Sequence, residues 1–301
     1  MIPPFTKPSM RDPPAIPVSP SLSIGQCATL ACVLEAAAPK AGNVHRSADF
    51  EELTFHDFLA SAVAIAPAIE AAPHTGIGQT VLDAIVATRR VVTTNTNLGI
   101  VLLLAPLAAV PRATSLSTAA VHEALARLTP DDCRLVYGAI RMAVPGGLGK
   151  VKEMDVADEP PPDLLLAMHA AADRDLVARQ YVDDFRLVLD EALPQLIAGR
   201  SSGWSLTESI IHTHLSLLAR YEDSLVVRKC GVATAKQVSA MAGGVLAAGR
   251  PGEEAYYEAL ANFDFRLRTD GHRRNPGTTA DLIAAALFAG LRDGLVFPSY
   301  H

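Results

Sequence analysis

The stretch LGIVLLLAPLAAV, residues 98–110, decides the fold class of this chain, because it would be apolar on every side of a helix. A helix without a polar face must be buried on all sides. The stretch therefore predicts a central helix that other helices surround. Pro106 interrupts the run, and its length falls short of the ~20 apolar residues that a membrane span requires.

Capping signals on both sides of this stretch predict further helices. Ser23 with Gln26, and Ser205 with Glu208, have the spacing of capping boxes, in which two side chains satisfy the free N–H groups at a helix start. Pro67 predicts a kink in the second helix of the chain, because proline cannot donate a helical hydrogen bond.

The remaining helices follow from apolar spacing and from start signals. They are predicted over 78–92, from Ser117, from Thr129, over 163–193 with a break near 172–174, over 233–248, over 253–267 and over 278–292. Thr278 is expected to cap the last helix, with Asp281 at the capping-box position. Alternation typical of strands is absent from the sequence. The prediction is an all-α fold: a single compact multi-helix domain with a central buried helix.

Composition excludes several classes of protein. Of the 301 residues, 50% are hydrophobic and only 19% are charged, which excludes global disorder. The net charge of −6 lacks the basic excess of a general nucleic-acid binder. The cysteines have no zinc-site spacing and are interpreted as small buried hydrophobic residues; they are Cys27, Cys32, Cys133 and Cys230.

The N-terminal region differs from the rest of the chain. Residues 1–20 hold seven prolines and no apolar periodicity, which predicts a flexible tail before a helical domain over 21–301. No continuous apolar stretch of a signal peptide follows the first methionine. We therefore expect a cytoplasmic protein that neither contacts membranes nor binds nucleic acid, and the sequence leaves open whether it forms a homo-oligomer.

Polar residues concentrate in short segments at the predicted helix ends. These segments are PKAGNVHR at 39–46, TTNTN at 93–97, AIR at 139–141 followed by PGGLG at 145–149, DRD at 173–175, YED at 221–223 followed by RK at 228–229, and NPGTTAD at 275–281. Glycine lets a backbone approach a phosphate, helix N-termini favour anions, and Lys or Arg neutralises them. Each segment alone is typical of a capped loop, but together they indicate a nucleotide site.

Two familiar motifs do not fit. Gly149-Lys150 lies in a glycine-rich segment, but the spacing of a P-loop is absent and Val151 replaces the required hydroxyl residue. His56-Asp57 has the order of a metal-phosphohydrolase pair, yet its position favours a helix-start feature.

The polar segments together resemble the ATP:dephospho-CoA triphosphoribosyltransferase family. The matching stretches are APKAGNVHR at 38–46, TNTNLGIVLLLAPL at 94–107, AIRMAVPGGLG at 139–149, AADRDLVARQY at 171–181, YEDSLVVRKCG at 221–231 and NPGTTADLIAAALF at 275–288. The resemblance spans about residues 24–295. It implies an enzyme that transfers the triphosphoribosyl group of ATP to the ribose 2′-hydroxyl of 3′-dephospho-CoA and releases adenine.

The sequence also departs from the family pattern. Asn97 and Leu98 stand where citrate-lyase-type members tend to carry His-Lys, and the loss of a lysine removes a charge beside a phosphate. Two alternatives therefore stay open: a related nucleotide-dependent transferase with another acceptor in one-carbon cofactor synthesis, and a non-catalytic nucleotide-binding helical protein.

The resemblance implies a site for glycosyl transfer, which needs cations and Mg²⁺ for the triphosphate, a base for the attacking hydroxyl and a donor for adenine. Candidates for binding ATP or the acceptor are Lys40, Asn43, Arg46, Asn95, Thr96, Asn97, Arg141, Arg174, Arg228, Lys229, Asn275, Thr278 and Thr279. Candidates for holding Mg²⁺ are Asp173, Asp175 and Asp281. Glu222 or Asp223 is expected to be the base, and His45 the donor to adenine, because imidazole titrates near neutrality.

Overall fold

The computed structural model describes residues 22–146 and 154–297. The expected tail over 1–20 and part of the glycine segment at 145–149 lie outside the described residues. Every named element within the described ranges is a helix, which confirms the predicted all-α class.

The first half of the chain forms seven helices within residues 22–146. They are α1 (Ile24–Ala37), α2 (Phe55–Ala64), α3 (Ala66–Thr75), α4 (Ile77–Val91), α5 (Leu98–Ala109), α6 (Thr118–Leu125) and α7 (Pro130–Ala143). The capping box of Ser23 and Gln26 at the start of α1 is confirmed. The expected kink at Pro67 is a break at Ile65, between α2 and α3.

The second half, within residues 154–297, is also helical. Its α-helices are α8 (Leu164–Ala171), α9 (Leu176–Val182), α10 (Leu193–Ser201), α11 (Leu206–Arg220), α12 (Ser224–Cys230), α13 (Val232–Ala248), α14 (Glu254–Arg268) and α15 (Gly277–Arg292), and a π-helical turn (Leu187–Ala192) precedes α10. The break near 172–174 is confirmed between α8 and α9, and a second interruption follows Val182.

Two helices form the centre of the domain. The predicted central helix α5 is buried on all sides and continues through Pro106. Helix α15 is equally central, because it packs against α1, α5, α9, α10, α11, α12 and the π-helical turn. Its many alanines allow this close approach, and Leu282, Ile283 and Phe288 are completely buried.

The segment Phe55–Thr75 has the length and the hydropathy of a membrane-crossing helix, a test that core helices also pass. It comprises α2 and α3, which pack on α1 and α4. The sequence-based expectation considered only the run at 98–110 for a membrane span and overlooked this segment.

Candidate active site

A deep cavity of about 430 Å³ opens where the start of α5, the start of α15 and the end of α1 meet α8, α9 and α12. Helices α5 and α15 both direct their N-terminal turns to it, through Leu98 and Gly99 and through Gly277 and Thr278. Because free N–H groups make a helix N-terminus electropositive, this part of the cavity favours an anion.

The fold brings most of the polar segments to this cavity. The predicted site residues that line it are Asn43, Asn95, Thr96, Asn97, Arg174, Asp175, Arg228, Lys229, Asn275, Thr278 and Asp281. Those that do not line it are Lys40, His45, Arg46, Arg141, Asp173, Glu222, Asp223 and Thr279.

The cationic wall of the cavity comes from the end of α12. Arg228 donates to Asp175 Oδ2 at 2.6 Å, while its Nε atom is buried without a hydrogen-bond partner. Lys229 is half-buried, and burial lowers the pKa of its ammonium group, to which the neighbouring Arg228 also contributes. A bound anion would favour the charged form of this half-buried lysine, so this part of the cavity suits an anion.

Two further carboxylates of the cavity are Asp281 of α15 and Glu35 near the end of α1. Asp281 of α15 accepts no hydrogen bond from any described group, and its side chain lies directly against Gly99, where a Cβ atom would meet Oδ2 at 2.0 Å. Burial raises the pKa of Asp281 well above its usual range, and the charge of Glu35 adds to the rise. A side chain at position 99 would collide with the Asp281 carboxylate, so this approach of α15 to α5 requires glycine there.

Glu35 is a cavity residue that the sequence interpretation missed. It lies one turn after Cys32 in α1, is 4% exposed and lines the cavity. Lys40, which is completely buried, contacts Glu35 Oε1 at 2.8 Å. The signal was present as a lone glutamate within the otherwise uncharged helix α1, which predicts a paired or functional carboxylate.

Asparagine amides also line the cavity. Asn43 Nδ2 donates to Asn275 Oδ1 at 2.8 Å, which joins the loop after α1 to the loop before α15. Asn97 Nδ2 donates to Thr88 Oγ1 at 3.0 Å. The Oδ1 atoms of Asn43 and Asn97 are buried and accept no hydrogen bond. A ligand that donates a hydrogen bond to them would satisfy these buried acceptors.

The two candidate bases do not face the cavity. Glu222 is exposed and lies outside the lining. Asp223 is completely buried: its Oδ1 accepts from the N–H groups of Leu225 and Val226, and its Oδ2 accepts from Thr279. Because both oxygens are occupied, Asp223 is a capping and bridging residue instead of an accessible base.

The start of α15 also differs from the expectation. Its N-cap is Pro276, which has no side-chain capping bond, so Thr278 is the second residue of the helix and not its cap. Asp281 therefore makes no capping box and faces Gly99 instead. Thr279 points away from the cavity and donates its hydroxyl to Asp223 Oδ2 at 2.8 Å.

Several other candidates have structural partners outside the cavity. Arg141 donates to the carbonyls of Val156 and Asp158, and so holds part of the cavity wall. His45 Nδ1 accepts from Ser47 N, and burial together with Arg268 lowers the pKa of the imidazole, which disfavours its protonated form. Arg46 is exposed.

The three carboxylates expected to bind Mg²⁺ are not brought together. Asp173 is exposed, Asp175 uses both oxygens to cap α9 and to bind Arg228, and Asp281 lies against Gly99. Within residues 22–146 and 154–297, no group of three or more His, Cys, Asp or Glu side chains could hold a metal ion. The expected ligand set therefore does not fit a metal site built by the protein.

The rest of the cavity is apolar. This part of the lining is formed by Leu53, Phe58, Leu98, Ile100, Ile140, Met154, Leu164, Met168, Val177 and Leu225. An apolar cavity with a few convergent polar and charged groups is the usual form of a small-molecule site. Aromatic bases and aliphatic chains both bury well against such a surface.

An all-helical domain whose cavity is lined by cationic, acidic and amide side chains has the usual form of a small-molecule site. A model of the ATP:dephospho-CoA triphosphoribosyl transferase family matches residues 21–296. The chain therefore belongs to the ATP:dephospho-CoA triphosphoribosyl transferase family. This match confirms the resemblance read from the polar segments, and with it the class of a transferase.

A solved structure supports this conclusion. The chain is similar to a protein of Archaeoglobus fulgidus assigned as a triphosphoribosyl-dephospho-CoA synthase, with 28% identity and a TM-score of 0.62. The match covers 79% of this chain and 100% of that chain. No curated protein is significantly similar in sequence.

Proposed function

We propose that this chain transfers the triphosphoribosyl group of ATP to the ribose 2′-hydroxyl of 3′-dephospho-CoA and releases adenine. The observation that carries the proposal is the convergence of the family's polar segments on the cavity. Segments separated by more than 200 residues, such as those of Asn43 and Asn275, contact each other directly there.

The triphosphate is proposed to bind along the end of α12 and the start of α15. Arg228 and Lys229 supply positive charge, and Arg174 also lines the cavity. The first turn of α15 adds the N–H group of Thr278, whereas the N–H of Gly277 donates to the carbonyl of Asn275. Lys229 is the most direct candidate for phosphate binding, because no described carboxylate pairs with its ammonium group.

ATP is proposed to enter as its Mg²⁺ complex, with the ion travelling as part of the substrate. Magnesium commonly binds proteins through substrate phosphates, with few protein ligands and several waters. This form of binding requires no cluster of carboxylates in the protein.

The sugar and the two bases are proposed to occupy the region between the charged walls. Glycosyl transfer proceeds through a sugar that develops positive charge, which an acidic wall stabilises. Glu35 lies on that wall. The apolar lining of Met154, Leu164 and Met168 suits adenine or the pantetheine arm and displaces water from the reacting atoms.

Free adenine is the product that tests the proposal. The protein is incubated with ATP, Mg²⁺ and dephospho-CoA, adenine is measured by chromatography, and the coupled product is identified by mass spectrometry. We expect equal amounts of adenine and triphosphoribosyl-dephospho-CoA. Adenine without coupling to dephospho-CoA would indicate another acceptor, and the absence of adenine would contradict the proposed reaction.

A matched pair of variants separates the cavity from the rest of the surface. Arg228→Ala removes a cavity cation, whereas Arg250→Ala removes an exposed arginine between α13 and α14. We expect adenine release to fall at least tenfold in the first variant and to stay unchanged in the second.

A further inference from the structure

The end of α1 and the loop after it place a buried ion pair beside the cavity. Lys40 is completely buried, and its ammonium group contacts Glu35 Oε1 together with the backbone carbonyls of Glu35 and Ala38. These three acceptors use all three N–H donors of a lysine. Lys40 therefore has no donor left for a phosphate.

Glu35 differs from its partner because it reaches the cavity. The side chain lines the cavity, and Oε1 is bound to Lys40, whereas no described group donates to Oε2. A cation in contact favours the ionised form of a carboxylate. The arrangement thus presents a carboxylate that is paired with a cation and has one oxygen available to a ligand.

Two other acids of the cavity, Asp175 and Asp281, do not combine these two properties. Asp175 is paired with Arg228, but both of its oxygens are occupied by hydrogen bonds. Asp281 has an unoccupied carboxylate, but no described cation contacts it. A base needs both the ionised state and an available oxygen within hydrogen-bond reach of the proton it takes.

We propose that Glu35 is the base that accepts the proton of the attacking hydroxyl, and that Lys40 is a positioning residue for Glu35; this rests on the proposed function. The hydroxyl proton moves to Glu35, and the oxygen forms a bond to C1′ of the ATP ribose. The bond from C1′ to N9 breaks, and its electron pair leaves with adenine. Adenine then takes one proton from solvent, and Glu35 returns one proton to solvent.

The test compares three variants with a matched control. Glu35→Gln removes the base but keeps the size of the side chain, and Lys40→Met removes the cation. The double variant Glu35→Gln/Lys40→Met leaves no unpaired buried charge, which guards against misfolding of the single variants. Glu258→Gln makes the same chemical change at an exposed position of α14. Folding is checked by circular dichroism, and MgATP affinity by calorimetry.

We expect Glu35→Gln to bind MgATP within threefold of the parent, and its kcat for adenine release to fall 10²- to 10⁴-fold, the usual contribution of a general base. Lys40→Met should lower kcat for adenine release at least tenfold. The double variant should be no slower than Glu35→Gln alone, because Lys40 acts through Glu35. Glu258→Gln should match the parent.

Two results would overturn the proposal while the proposed function stands. One is adenine release by Glu35→Gln within threefold of the parent. The other is a double variant whose loss equals the product of the two single losses, which would give Lys40 a role independent of Glu35. A parent that releases no adenine overturns both the proposed function and the assignment of the base.

Discussion

Asp223 Oδ2 accepts hydrogen bonds from both the backbone N–H and the hydroxyl of Thr279, at 2.7 and 2.8 Å. The other oxygen of Asp223 caps α12 through the N–H groups of Leu225 and Val226. One buried carboxylate thus joins the start of α12, which carries Arg228 and Lys229, to the first turn of α15. The relative placement of these two helices determines the cationic wall of the cavity.

Removal of this carboxylate is expected to destabilise the protein strongly. Asp223→Ala leaves several buried N–H donors without an acceptor, each at a cost of roughly 1–3 kcal/mol, so the free energy of unfolding should fall by about 3–5 kcal/mol. Thr279→Ala should cost about 2 kcal/mol, since it removes one hydrogen bond to a charged group. Thr279→Ser keeps the hydroxyl and serves as the control. Urea denaturation measures all three, and an unchanged midpoint for Asp223→Ala would contradict the bridging role.

Lys229 is expected to contribute directly to nucleotide affinity. Lys229→Met keeps the aliphatic stem but removes the half-buried charge, and the dissociation constant of MgATP should rise about ten- to hundredfold. Lys236→Met changes an exposed lysine on the next helix and should leave the affinity unchanged. Calorimetry at constant ionic strength compares the two. Equal affinities in both variants would place the triphosphate elsewhere.

Asp281 is expected to reduce stability at neutral pH. Burial raises its pKa in the folded state, with a further contribution from Glu35, so folding favours the protonated form. The parent should therefore lose stability as the pH rises from the ordinary value of 3.8 through the folded-state pKa. Asp281→Asn removes this effect and should melt a few degrees higher at pH 7, with a difference that disappears in acid. A lower melting temperature at pH 7 would contradict this interpretation.

His214 is expected to make the fold sensitive to acid. Burial, with the nearby charge of Lys40, lowers the pKa of His214 from 6.5 to about 3. The stabilisation is thus complete above pH 6.5 and is lost as the pH falls toward 3, because the unfolded chain binds a proton that the folded chain does not. Over this range the parent should lose about 1.4 kcal/mol per pH unit more than His214→Gln does. His169→Gln, at an exposed position, should follow the parent.

The local features of the fold could be predicted because they depend on neighbours in sequence. Capping boxes at Ser23 and Ser205 require residues only three positions apart, and both form as predicted. The burial of α5 follows from its apolar composition on every face. The start of α15 was predicted less well, since Thr279 bonds to Asp223, a partner 56 residues away.

The sequence by itself determined the helical class, the central position of 98–110 and the segments that supply the cavity, because periodicity, capping and composition act locally. Only the tertiary structure decided which side chains face the cavity. The access of Glu35 to the cavity, the burial of Lys40 and the occupied oxygens of Asp223 depend on how helices distant in sequence pack together. A charged residue in a motif can face a ligand or a partner with equal ease, and packing decides between them through the cost of burying an unpaired charge.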